Sequence, residues 1–447
     1  MKNAILSLVF LTGLGAAGQC WQSVSAGFQN TSGIRLDQTI WSIGGTPNGI
    51  DSSSSLTPAQ IGVDTWQSIR CAYSYTMAIR NDGTLWGWGN NFYGQFGTGT
   101  TSNSDYPVQS GTAPDWQAVY PGIASTIAVK ADGSLWAFGM NTFGTLGTGN
   151  TTNSSLPLQV VTPYTDWEVI SHNGLSTAAI RIDGSLWMWG DNTYGQLATG
   201  NTTQKLLPYM VGSDTDWATC SSGPTTTFAI KSDGTLWSWG NNVGGQLGDG
   251  TTDNRFYPAQ IGSETNWATV AAGAFHVISL KTDGTLWSWG SNSVNQLGDD
   301  TIGNRTSPGQ VGNDTNWVAI SSFWSHNVAL KADGTAWTFG RNDVGELSVG
   351  NLDEVVGLSQ VSCEVMGTAS HTSMAPVVYT SPDSSQLHIY MPYAIVEKLA
   401  VFDISGKKVI ERTDHLPIVE ISQLAAGVYV AQVISPDGES HHKFVKQ

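Results

Sequence analysis

Asp283-Gly284-Thr285-Leu286-Trp287-Ser288-Trp289-Gly290 is the stretch on which the reading of this chain turns. Asp-Gly between two apolar runs predicts a tight hairpin, because a type I′ turn needs φ > 0 at its central residues. The run after it alternates, which places Leu286 on one face of a short strand and Trp287 and Trp289 on the other. Two tryptophans on one face predict burial against a neighbouring sheet. The word recurs at 82–89, 132–139, 183–190, 233–240 and 333–340. A worn copy stands at 36–44, where Gln38 takes the place of the glycine.

Working outward, a tryptophan opens each unit: Trp21, Trp66, Trp116, Trp167, Trp217, Trp267 and Trp317, at spacings of 45, 50, 51, 50, 50 and 50 residues. A fixed period of this length signals a solenoid, propeller or array and overrules a domain count taken from length alone. Each unit reads as a first strand ending in small residues, a variable loop, a second strand, the Asp-Gly hairpin and the Trp-x-Trp-Gly strand. A segment like Gly-Gln-Leu-Gly, a polar Thr/Asn/Asp loop and a last strand beginning near a proline complete it. Proline suits an edge strand, because it cannot donate to the ladder. Four short antiparallel strands repeated seven times predict an all-β, seven-bladed β-propeller. No 3.6-residue apolar period favours helices.

Composition bounds the function. The net charge is −16 and only 12% of the 447 residues are charged. An acidic chain without clustered Lys and Arg argues against nucleic acid as a partner. Residues 1–18 read as a signal peptide: Lys2, an apolar core from Ala4 to Leu14, and the small residues Ala16-Ala17-Gly18. That run is too short to span a bilayer and no other candidate span exists, so no membrane insertion is expected.

The repeat resembles that of the regulator of chromosome condensation family. The resemblance rests on Val328 to Lys331, on Asp233 to Asn242, and on Tyr93 to Gly97 with Phe96 in place of leucine. It covers residues 20–366. It implies a seven-bladed propeller that binds proteins. Two sharper roles follow from it: guanine-nucleotide exchange on a small GTPase, and protein inhibition, since a secreted bacterial relative with a similar propeller inhibits β-lactamases. The signal sequence, the acidic charge and the even spacing oppose the exchange role.

Composition changes after Gly367. Residues 367–376 read as a linker, and residues 377–447 as a small antiparallel β-sandwich of alternating apolar runs. This tail resembles the C-terminal sorting domain of type IX secretion in Bacteroidetes. The words that carry it are Phe402 to Lys407, Ile421 to Tyr429 and the basic finish; Thr380-Ser381-Pro382 departs from the usual Pro-Asn-Pro. The resemblance implies export to the cell surface or medium, with the secretion machinery as one partner.

The four cysteines form no Cys-x-x-Cys, so no zinc site is expected. Repeat register brings Cys20 and Cys363 to the two ends of the ring, where an oxidising compartment favours a disulfide. Cys71 and Cys220 read as small buried residues. His172, His276 and His326 follow first strands and read as packing residues. The turn aspartates read as turn formers, not bases. No constellation for catalysis, metal or cofactor rises above chance. The variable loops between first and second strands carry Phe28, Tyr73, Tyr75, Phe275, His276, Phe323, Trp324 and His326. Equivalent loops of a propeller open on one face, so these residues form the expected recognition patch for an unknown protein or glycan. A non-enzymatic, secreted binding protein is the main expectation; a glycan-hydrolysing propeller is the enzymatic alternative, with no acid–base pair behind it.

Overall fold

The computed structural model describes residues 21–45, 55–352, 355–361, 377–380, 385–390, 397–413, 418–435 and 438–446. The expected signal peptide, the Cys20–Cys363 disulfide and the linker lie outside these residues. The chain divides into two compact units, Met1–Ala59 with Thr65–Cys363, and Gln60–Asp64 with Glu364–Gln447.

Seven four-stranded antiparallel sheets follow one another in the first unit, each a simple meander. The blades span residues 21–61, 66–109, 116–159, 167–210, 217–260, 267–311 and 317–360. Blade 6 shows the plan: Trp267–Ala272, His276–Lys281, Leu286–Gly290 and Arg305–Val311. The first strands pack against one another around the centre, and that of blade 1 touches those of both blade 2 and blade 7.

Alternation within the third strand fixes the blade interfaces. Trp289 packs with Phe228, Ile230 and Leu247 of blade 5, while Leu286 packs with Ala329 and Phe339 of blade 7. The second tryptophan of the word also donates its indole N–H to the preceding blade. Trp189, Trp239 and Trp289 reach the carbonyls of Thr145, Gln196 and Gln246 at 3.0, 2.8 and 3.0 Å. A buried indole N–H needs such a partner, and the Gly-Gln-Leu-Gly segment supplies it.

The ring closes by this same side-chain interface, with no strand exchanged between ends among the described residues. Thr126 and Thr227 donate to the carbonyls of Gln95 and Gln196 at 2.8 and 2.9 Å. Thr31 of blade 1 donates to the carbonyl of Glu346 in blade 7 at 2.9 Å, the same contact as in those two pairs.

The Asp-Gly turn differs from the expected type I′. Only Gly284 has a positive φ, +78°, and its N–H bonds Lys281 O at 3.0 Å. This is a type I turn followed by a left-handed glycine, the usual three-residue hairpin loop. A Cβ at Gly284 would also meet Thr315 O at 2.2 Å, so the next blade's connection excludes a side chain there. Gln38 occupies the same place with φ +67°.

The second unit packs two sheets around Leu387, Ile389, Leu399, Val401, Val433 and Phe444, giving the expected small sandwich. The words of the tail are structural here. Asp403 accepts from the backbone N–H groups of Ser405 and Lys407 at 2.9 and 3.1 Å, and Gly406 turns with φ +83°. Tyr429 stacks on Phe444 and donates to Ala425 O at 2.9 Å.

Candidate functional site

In a meander whose first strand is innermost, the loops joining first to second strands open near the centre on one face. Three of their aromatics meet. Phe28 of blade 1 stacks on Tyr73 of blade 2 with ring centroids 4.2 Å apart, and Trp324 of blade 7 stands edge-on to both at 5.2 Å. The Arg341 guanidinium lies 5.2 Å from the Phe28 ring. All three rings are partly exposed. Trp324 has φ +51°, a left-handed backbone that costs a bulky residue roughly 1–2 kcal/mol. Its carbonyl accepts the Ala274 N–H at 2.8 Å, and the next residue, Phe275, is exposed. Asn173 of blade 4 reaches across the centre to Ala272 O of blade 6 at 2.9 Å.

The other four residues of the expected patch are buried, and their side chains do not reach the surface. Phe323 is 2% exposed and belongs to the core of blades 7 and 1. Tyr75 is 1% exposed and donates to Ser125 O of blade 3 at 2.7 Å. His276 bonds Asn327 of blade 7 at 2.8 Å, and His326 bonds Thr31 of blade 1 at 3.1 Å. The cause is strand register. Tyr75, His276 and His326 open second strands, paired with Gly89, Gly290 and Gly340, so the loops are only two or three residues long.

The three propeller histidines are neutral blade-to-blade linkers. Burial lowers His172 and His276 to about 4. Burial, then His276 and Arg341, lowers His326 to about 3. Cys71 and Cys220 are free and buried, and burial pushes the Cys220 thiol up to about 12. Among the described residues no group of three His, Cys, Asp or Glu side chains is placed to hold a metal ion.

Two repeated devices on the opposite face went unread in the sequence. Asp283 Oδ1 accepts from Thr285 N and Oγ1 at 3.0 and 2.7 Å, and Thr285 Oγ1 accepts the Trp287 indole N–H at 2.8 Å. The same Asp–Thr/Ser–Trp relay stands in the other six blades, as at Asp37, Thr39 and Trp41. The cation ending the second strand lies over the rings of the first and third: Lys281 is 4.7 Å from Trp267 and 3.6 Å from Trp287, and Glu264 holds its Nζ at 2.8 Å. The spacing Lys/Arg-x-Asp-Gly-Thr/Ser-Leu-Trp was the available signal.

Comparison with known proteins follows this geometry. The family model described as "Regulator of chromosome condensation (RCC1) repeat" matches residues 82–129, 132–171, 183–230, 233–280 and 283–330, together more than half of the chain. A second model of the same description matches 66–95 and 267–296. Comparison with curated proteins gives no match. Human WBSCR16 has a similar fold, with a TM-score of 0.64 at 20% identity over 70% of this chain and 87% of that one. Prp20p of Saccharomyces cerevisiae superposes with a TM-score of 0.61 at 19% identity, over 67% of this chain and 77% of that one. The model described as "Secretion system C-terminal sorting domain" matches residues 377–447, and such a domain directs export by type IX secretion to the cell surface or the medium. The chain therefore belongs to the regulator of chromosome condensation repeat family, its propeller joined to a C-terminal sorting domain.

Proposed function

We propose that the exported propeller is a non-enzymatic binding module, and that it recognises a protein or glycan outside the cell through the face carrying Phe28, Tyr73 and Trp324. The observation that carries this reading is Trp324, a bulky residue kept in a left-handed backbone with its ring against two others at the centre of the face. Backbone strain of this kind is retained where the surrounding structure and a function hold it. The three rings come from blades 7, 1 and 2, so the rigid ring sets their spacing before any partner arrives. Pre-set aromatic anchors lose little rotamer freedom on binding. The chemistry of the described side chains favours binding over turnover. The turn aspartates are engaged by their own Thr or Ser, and the three propeller histidines are buried and neutral. Prp20p is described with its binding to Gsp1p and histones. An exchange-type or inhibitory role is the regulatory form of the same reading.

The test uses the full chain. Wild type and Tyr73→Ala with Trp324→Ala are applied to a soluble-glycan array and to a cell-envelope extract. Loss of every wild-type interaction in the double variant, with the unfolding midpoint kept, is expected. Aromatic hot spots cost roughly 2 kcal/mol or more each, about thirtyfold in affinity. Unchanged binding places recognition elsewhere.

A further inference from the structure

The free inner edges of the seven sheets face the axis, where backbone N–H groups need partners. In blades 1, 4, 5 and 7 a serine four places after the opening tryptophan supplies one to the next blade. Ser25 Oγ accepts Cys71 N–H at 2.9 Å, Ser171 accepts Ser222 at 2.8 Å, Ser221 accepts Ala272 at 3.1 Å and Ser321 accepts Ala26 at 3.0 Å. Blade 2 breaks the pattern. Its residue is Arg70, and the residue it faces in blade 3 is Pro121, which has no N–H to satisfy. The position is thereby released from capping and carries a guanidinium.

Arg70 is half-buried and has no hydrogen bond or ion pair among the described residues. Every other described cation of the propeller is held by a carboxylate, an aromatic face or both, as Arg255 is by Asp249 at 2.8 Å and Lys205 by Tyr209 at 4.7 Å. Tyr120 holds the matching position of blade 3, on the first strand Trp116–Pro121, which packs beside the Arg70 strand Trp66–Cys71. Its hydroxyl also has no partner among the described residues. Glu168, exposed at the outer end of its strand, is the one acid on the seven first strands. A five-donor cation and a phenol, unpaired inside a chain of net charge −16, are an unmet demand for negative charge.

We propose that the propeller axis at Arg70 and Tyr120 binds a small oxyanion: inorganic phosphate or sulfate, or the carboxylate of a small organic acid. The guanidinium fork matches two oxygens of such a group, and the phenol donates to a third or to the same oxygen.

Thermal unfolding of the full chain in chloride, phosphate, sulfate and acetate at matched ionic strength tests this. Arg70→Ser places there the residue that four other blades already carry. Wild type is expected to show a saturable rise in midpoint with half-effect on the order of 1 mM, typical of one charged contact. The variant keeps only the non-saturating rise that excluded salts give any protein. The ranking of phosphate and sulfate against acetate separates inorganic from carboxylate ligands. Equal responses in wild type and variant overturn the proposal. So does a variant destabilised equally in chloride and in every other salt, since Arg70 would then be structural. If the variant does not fold, calorimetric titration of phosphate into wild type decides, and no saturable heat below about 10 mM overturns the site.

Discussion

Lowering the pH from 8 to 5 should weaken the propeller through His172, His276 and His326. Their folded values are about 4, about 4 and about 3 against an ordinary 6.5, with burial the first cause in each. A folded pKa below the unfolded one contributes stability that is complete above the unfolded value and is lost as the pH falls toward the folded one. At pH 5 the unfolded imidazoles are protonated and the folded ones are not. Each then loses about 2 kcal/mol relative to pH 8, and the three together about 6 kcal/mol. The turn aspartates do not share this window. Asp283 and Asp183 are held below the usual carboxylate value by hydrogen bonds from Thr285 and Ser185, so their contribution fades only at lower pH. Glu346 acts with the opposite sign, because burial raises its folded pKa and protonation favours the folded state. The assay is urea unfolding of the full chain at pH 8 and pH 5, followed by tryptophan fluorescence. His276→Asn and His326→Asn introduce the residue that blade 1 carries at that position as Asn30. Each should remove about a third of the acid loss. Equal wild-type stability at the two pH values would refute the neutral-linker account, as would an undiminished loss in both variants.

Gln38→Gly should raise stability by about 1 kcal/mol, since a left-handed backbone penalises a side chain, although the exposed Asn81–Gln38 bond of 2.7 Å is lost; a lower urea midpoint would contradict this. Tyr75→Ala should cost about 3 kcal/mol or more through the cavity it leaves; Tyr75→Phe should cost about 1 kcal/mol for the hydrogen bond alone. A Tyr75→Ala protein with an unchanged midpoint would show that the ring is not core. Deletion of residues 377–447 should leave a folded propeller retained in the periplasm, checked by cell fractionation. Its normal appearance in the medium would make the tail dispensable for export.

The repeat made the fold legible. Tryptophan spacing and the alternation of Leu286, Trp287 and Trp289 already state which side chains meet across blades. The turn type was misread because Asp-Gly suits both a two-residue type I′ turn and a three-residue loop with one left-handed glycine. The two differ only in where the second strand ends, at Lys281. The stacked cations stayed hidden for a related reason: Lys281 meets Trp267 and Trp287 only once three strands are side by side. Of the eight patch residues, Phe28, Tyr73, Phe275 and Trp324 reach the surface, and the sequence alone did not separate them from the four that are buried. Tyr73 and Tyr75 are two residues apart and look equivalent in sequence, yet one sits in a loop and the other begins a strand. Register decides that, and it is set by the neighbouring strand rather than by the tyrosines.

Because every blade contains all four of its own strands, the ring is assembled from interchangeable cassettes. A recombination joining the Asp233 word to the Asp283 word would excise one period and leave a hybrid blade whose hairpin, relay and stacked cation are intact. No strand would need to find a partner in a different sheet. The Thr31–Glu346 contact works wherever the last cassette meets the first, so such a gene can change its blade number in a single step. The limit on that number is the wedge angle at which neighbouring tryptophans still fill the gap between sheets.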